Sequence, residues 1–201
     1  MAVDYSTGLY DKGEQKIICH HMPSGNSLAF KAWDLQYSET ISNNWDSKQM
    51  IHRVNQRHTW QSVDRSISLS WSMPSFDLAE AKSNLAKCSA MVRFMYPAVD
   101  ENGLVNNGNP VWALGLMNLI HKSDVQRAGA TSDTLLKGFP TSFSWNIVAS
   151  DGYLYDEGGT EPFPKHIKIS MAYRCILDES KLFGWQGSSW TGPAHFPWSS
   201  T

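Results

Sequence analysis

Between Arg65 and Pro97 a strand pattern runs straight into a helix pattern, and this junction restricts the fold more than any other stretch. In Ser66-Ile67-Ser68-Leu69-Ser70-Trp71-Ser72-Met73 every second residue is apolar. Successive side chains of an extended chain point to opposite faces. Ile67, Leu69, Trp71 and Met73 are therefore expected to share a buried face, with the serines on a wet one. Beyond Pro74, the residues Leu78, Ala81, Leu85, Cys88, Val92 and Met95 recur at spacings of three and four, which predicts one stripe on a helix over 77–95. Asp77 is placed to cap it by accepting from a free amide of the first turn, and Glu80 to return a bond to the Asp77 amide. Tyr96-Pro97 ends it, because the residue before a proline is pushed out of the α region. The serine face carries no catalytic constellation, so this unit reads as a part for packing and assembly.

The remaining patterns are mostly of strands. Gln15 to Met22 reads as a strand with Ile17, Cys19 and His21 on one face and Ile18 and His20 on the other, after an irregular arm over 1–14. Ser38 to Lys48 is polar and is expected to be a loop. Met50 to Trp60 fits neither period and reads as loop, then strand. Glu101-Asn102-Gly103 and Asn107-Gly108 mark a loop or hairpin tip. Val111 to Ile120 is apolar on both faces, as a strand buried on both sides would be. A polar loop is expected over Ser123 to Ser132. Leu135 to Ala149 then sets Phe143, Trp145 and Ile147 against Ser142, Ser144 and Asn146. Asp151-Gly152 and Glu157-Gly158-Gly159 give a long hairpin connection. Lys165 to Leu177 alternates cleanly, with Ile167, Ile169, Met171, Tyr173 and Cys175 opposite Lys168, Ser170 and Arg174. The tail over 187–201 has no period, and its Trp190, Phe196 and Trp198 need a neighbouring surface to be covered.

A chain of 201 residues fits one domain with appendages and is long enough to bury a core. Its 17 basic and 19 acidic residues give a formal charge of -2, which argues against electrostatic binding to a nucleic-acid backbone as the main activity. The three cysteines, Cys19, Cys88 and Cys175, fall inside strand or helix patterns and read as small buried hydrophobes in a reducing compartment, with no disulfide expected. The polar start over 1–13 has no apolar core of a signal peptide, and no apolar run reaches the length of a membrane helix. Nine tryptophans favour cores and interfaces, where a wide ring fills a pocket.

No residue emerges as catalytic, and no cofactor or metal site is expected. Walker, G-x-G-x-x-G, G-x-S-x-G and H-E-x-x-H patterns are missing from the sequence. Cys19-His20-His21 cannot converge on one ion, because adjacent strand residues point to opposite faces. His52 and His58 lack a ligand spacing and read as structural or solvated. The acids Asp151, Asp156, Glu157 and Glu161 read as solvated turn residues, with no sign of two carboxylates held across a cleft. Asp4, Asp34, Asp46 and Asp64 are isolated. Trp71 and Trp145 lie on apolar strand faces and are assigned to the core. Trp112, Trp185, Trp190 and Trp198 are left between intersubunit burial and a sugar platform.

At these same residues a resemblance enters. Met73-Pro74-Ser75-Phe76-Asp77-Leu78-Ala79-Glu80-Ala81-Lys82-Ser83-Asn84-Leu85, closing on Met95-Tyr96-Pro97, resembles the baseplate tube proteins of contractile-tailed bacteriophages. These are the tail-tube initiators that join the central hub to the tube. Asn109-Pro110-Val111 running to Asn118-Leu119-Ile120, Gly138-Phe139-Pro140, Asp151-Gly152-Tyr153, Phe163-Pro164-Lys165-His166-Ile167 and Phe183-Gly184-Trp185 are similar to the family's later elements, in order. The likeness covers about residues 60–186. Leu116-Met117, where the family is more aromatic or charged, and the aromatic tail depart from it.

The resemblance implies a mainly β, α+β fold with one flanking helix: a tail-tube-like antiparallel barrel or sandwich with long hairpins, set in a hexameric ring. The chain is expected to divide into an N-terminal arm or extension with short strands over 1–60, the tube-like domain over 61–186 and an extended tail over 187–201. The function implied is structural: a non-enzymatic virion protein at the baseplate–tube junction, assembled in the host cytoplasm. Its partners would be its own copies, the hub proteins and the adjacent tube ring, with DNA only in passage and no membrane. The rival reading is a monomeric β-sandwich that stacks its tryptophans on carbohydrate, and a hydrolase built on Asp151 and Glu157 comes third.

Overall fold

The structure, a computed structural model, describes residues 16–51, 54–97, 110–116, 135–156, 158–176 and 185–190. The arm at 1–14, the expected tip at 101–108 and the expected loop at 123–132 lie outside the described residues, as do Asp4, His52, Glu157, Phe196 and Trp198.

Seven strands form one antiparallel sheet. They are β1 (Lys16–His21), β2 (Asn26–Lys31), β3 (Trp33–Lys48), β4 (Arg57–Pro74), β5 (Trp112–Leu116), β6 (Leu136–Ile147) and β9 (His166–Cys175), in the spatial order β2-β1-β5-β6-β9-β4-β3. Between β6 and β9 stand a single 3₁₀ turn (Ala149–Asp151) and a small hairpin of β7 (Tyr153–Tyr155) and β8 (Pro162–Pro164). A second small hairpin, β10 (Trp185–Gln186) with β11 (Ser189–Trp190), lies at the end of the described chain. The mainly β reading with one flanking helix therefore holds among the described residues. Among the described residues the barrel does not close by hydrogen bonds, since no ladder joins the two ends of the order.

Those two ends are nevertheless neighbours in sequence. β2 and β3 are successive halves of one extended segment with only Ala32 between them. The first half pairs with β1 and the second with β4. The change of partner takes place at a kink where Asp34 adopts a φ of 51° and the β3–β4 register slips between Trp33 and Gln36. Asp is among the few side chains that tolerate this left-handed region, and such bends are how strands turn a corner between sheets. The sheet curls about its apolar face until Phe30 of β2 meets Trp71 of β4, edge to face at 5.6 Å between centroids.

The curl encloses the core. Ile67, Leu69, Trp71 and Met73 of β4 are buried, opposite Ile167, Ile169, Met171 and Tyr173 of β9. Each such side chain removed from water contributes about 1.5–3 kcal/mol. β5 is buried on both faces, as its unbroken apolar run requires. Tyr173 points its hydroxyl between the Trp112 and Leu136 carbonyl oxygens, at 2.9 and 2.8 Å. Gly138 permits this packing: a Cβ there would stand 2.3 Å from the Arg174 carbonyl oxygen and 2.6 Å from the Tyr173 ring.

The helix α1 (Leu78–Phe94) starts at Asp77, whose carboxylate accepts from the Glu80 amide at 2.6 Å. The return bond differs from the expected capping box. Glu80 accepts from the Phe76 amide at 3.0 Å, one residue earlier than Asp77. The buried face is also rotated from the expected stripe. Asn84, Lys87, Met91 and Phe94 are buried with Ala81 and Cys88, whereas Leu85 and Met95 are only partly buried. Asn84 can be buried because its amide donates to Ser75 Oγ at 3.0 Å. At the other end Phe94 stacks on His21 at 4.7 Å, and the Trp112 indole N–H donates to the Phe94 carbonyl, one of the terminal acceptors a helix leaves open.

Two expectations are corrected here. Ser38 to Lys48 is not a loop: it belongs to the 16-residue strand β3, paired with β4 from Trp33↔Ser72 to Lys48↔Arg57. Nor are the N-terminal strands all short, and β1 to β3 share one sheet with the elements after residue 60.

Candidate assembly surface

The four strands β6-β9-β4-β3 form a tract that differs from the rest of the sheet. Its apolar face is the core, and its opposite face is a field of small polar groups. Rows read directly across it: Ser144, Ser170, Ser70 and Gln36 in one, and Ser142, Ala172, Ser68 and Ser38 in the next. Ser70 donates to Gln36 Oε1 at 3.3 Å. Lys137, Lys168 and Arg174 stand on this face, with Lys48 and Arg57 at the far end of the ribbon. Arg174 is paired with Asp64 at 2.8 Å, and Asn44 donates to the same carboxylate at 2.9 Å. Those two bonds, Arg174's first, hold the Asp64 carboxyl below its usual range. The face is exposed and hydroxyl-rich, with its charges spread apart.

Among the described residues the tract is open on both sides. β3 ends the strand order, and β6 meets β5 only at Leu136 to Gly138, so Pro140 to Ile147 has no neighbour on that side. Both edges carry uncovered apolar groups on the core face. On β6 these are Trp145, 47% exposed, and Ile147, beside the partly buried Phe143. The sequence assignment of Trp145 to the core is corrected: alternation put it on the apolar face, but nothing described covers that face at this edge. On the other side β3 and β4 run past the end of β9, which pairs only with Ser66 to Pro74. The overhanging ribbon bears Ile41 and the cross-strand pair Trp45↔Trp60, at 46%, 58% and 52% exposure.

The ribbon is anchored at its base by a buried polar cluster. Arg65 Nε donates to Glu39 Oε1, and Tyr37 donates to Glu39 Oε2 at 2.5 Å. Both charged side chains are more than nine-tenths buried. Burial, then the adjoining Glu39 carboxylate, pushes the Tyr37 hydroxyl pKa up.

The other sequence candidates fall elsewhere. Cys19 and His21 share the inner face of β1 and His20 takes the other. His20 Nδ1 lies 2.7 Å from Ser27 Oγ, and His21 Nδ1 lies 2.8 Å from Ser24 Oγ. His21, Ser24, Arg93 and Phe94 border a groove of about 330 Å³. His58 meets Ser47 Oγ at 2.8 Å on the ribbon. Asp151 and Asp156 are not simply solvated turn acids. Asp151 meets His166 Nδ1 at 2.5 Å, a contact that lowers its pKa, and Asp156 meets Lys82 Nζ at 3.3 Å. Lys82 also lies over the Phe163 ring, so these contacts dock the β7–β8 hairpin on the helix. Glu161 is exposed. Asp34 supplies the kink, and Asp46 meets Lys48 at 3.9 Å. Cys19, Cys88 and Cys175 are free and buried, and burial pushes their thiols up to about 12, 11 and 12, away from nucleophilic thiolate. Among the tryptophans left open, Trp112 is buried in the core and Trp190 is half-buried opposite Trp185.

No family model and no curated protein matches this chain. Among solved structures it is similar to a chain of the anti-feeding prophage baseplate, solved by cryo-EM with sixfold symmetry imposed. That match has 10% identity and a TM-score of 0.32, and covers 85% of this chain and 93% of the other. The open edges were missed by sequence reading, although the unusual length of the polar stretch before Met50 was a usable signal.

Proposed function

We propose that this protein is a structural component of a contractile-tail particle. Six copies form a ring at the junction of baseplate and tail tube. The ring binds the hub on one side, templates tube growth on the other and contributes its pore to the genome conduit. The observation that carries this reading is the four-stranded tract, open at both edges, with one apolar face and one hydroxyl face. An open edge is an assembly site or a hazard, and closure into a ring removes it. The resemblance carried by the motifs over 60–186 supports the same reading, and the number six is what that resemblance implies.

The chemistry of the wet face suits a pore wall. Polyanions are held by Lys and Arg. Among the described residues the cations of this face are spread out among small polar groups and Arg174 is engaged by Asp64, so a passing nucleic acid meets mostly hydroxyls and slides. Apolar groups on the other face turn toward the subunit cores.

Negative-stain microscopy of the purified chain, alone and with a hub extract, tests the proposal. Sixfold rings are expected, in both samples or only beside the hub. A persistent monomer in both would overturn it. The exposed indoles of Trp33, Trp45 and Trp60 favour the carbohydrate-binding rival as the second reading. That rival requires the same monomer to change its tryptophan fluorescence when glycan is added.

A further inference from the structure

We infer that the subunit junction is an antiparallel ladder between β6 of one copy and the overhanging half of β3 of the next, sealed by Phe143 and Trp145 packing around Ile41. This deepens the ring reading and rests on it. Strand directions permit the junction. β3, β4, β9 and β6 alternate in direction, so β6 runs antiparallel to β3, and a second copy's β6 laid beside β3 continues the pattern.

The overhang then has a geometric reason. Strands of a closed barrel tilt from its axis by about 35–45°. Four strands spaced about 4.8 Å apart span roughly 19 Å, so neighbouring copies are offset along the strands by roughly 13–19 Å, or about four to six residues. Only even offsets keep core face against core face, because a one-residue slip turns every side chain over. The choice is four or six.

Within one copy, Phe143, Met171, Leu69 and Tyr37 form a straight row across the tract. With no offset, Phe143 of the next copy would face Tyr37. An offset of four moves it opposite Ile41 and puts the next copy's Trp145 opposite Glu39. An offset of six puts Phe143 opposite Asn43 and Trp145 opposite Ile41. In both registers Ile41 meets an aromatic ring of the next copy, and Trp45 flanks the contact. An offset the other way would carry β6 to Trp33 or Lys31, where the segment has already turned to pair with β1. The long ribbon is thus the landing strip that strand tilt requires, and the uncovered groups on the two edges are two halves of one seam.

Paired variants test this. Ile41 and Trp145 are each about half exposed, so Ile41→Glu and Trp145→Glu should leave the fold intact, as checked by circular dichroism. Each variant alone should stay monomeric. Mixed, they should stop at a heterodimer, because one intact edge from each remains. Cysteine pairs fix the register on the wet face: on oxidation, Thr40→Cys/Ser144→Cys gives a covalent ladder for an offset of four, and Ser42→Cys/Ser144→Cys for six. Each single cysteine variant should give none. Rings that survive Ile41→Glu or Trp145→Glu overturn the seam and leave the ring reading standing. A wild-type chain that never forms rings, even beside the hub, overturns both.

Discussion

His21 lies against the Phe94 ring with Nδ1 on Ser24 Oγ, while Nε2 is buried without a partner among the described residues. Burial first, and the neighbouring His20 second, lower its pKa from the ordinary 6.5. His20 is lowered in the same direction by burial. A histidine that is harder to protonate folded than unfolded supports the fold fully above the unfolded value, and the support is lost as pH falls below it. The urea midpoint is therefore expected to decline as pH falls below about 6.5, a decline that His21→Gln reduces. Equal slopes in wild type and variant would show that this imidazole is protonated equally in both states.

At the scale of elements, the β3–β4 ribbon depends on the Arg65–Glu39 pair at its base. Removing one partner of a buried pair leaves an uncompensated charge, at a cost of about 3–5 kcal/mol, whereas replacing both with apolar groups is often neutral. Arg65→Met is expected to lose that much by urea denaturation, and adding Glu39→Leu to recover most of it. If the double variant is as weak as the single one, the pair is not the source of the loss. The same ribbon shows what a sequence hides. β4 and β9 were legible because one face of each is buried along its length, which writes a period of two into the residues. β3 was not legible: among the described residues it has one strand neighbour beyond Thr40 and neither face is buried, so Ser42, Asn43, Asn44 and Asp46 carry no apolar period and resemble a loop. Alternation placed Trp145 on the correct face but said nothing of what covers it. The helix was legible in its limits and not in its rotation, since the buried Asn84 depends on Ser75 outside the helix.

Across the whole molecule, residues from β1 to β9 and from α1 belong to one buried cluster. Strands from before and after residue 60 line the same interior, so the chain is expected to unfold in a single transition. Far-ultraviolet circular dichroism and tryptophan fluorescence should trace the same urea curve. Two separated transitions would instead mark residues up to 60 as an independent unit. The bend at Ala32 to Asp34 makes that unity mechanical as well. A tug on the overhanging β3–β4 ribbon reaches the opposite rim of the curl through three residues of backbone, without travelling around the circumference. Force on that ribbon is thereby shared by β1 and β4 at once, and peeling either one away means straightening a corner locked by both.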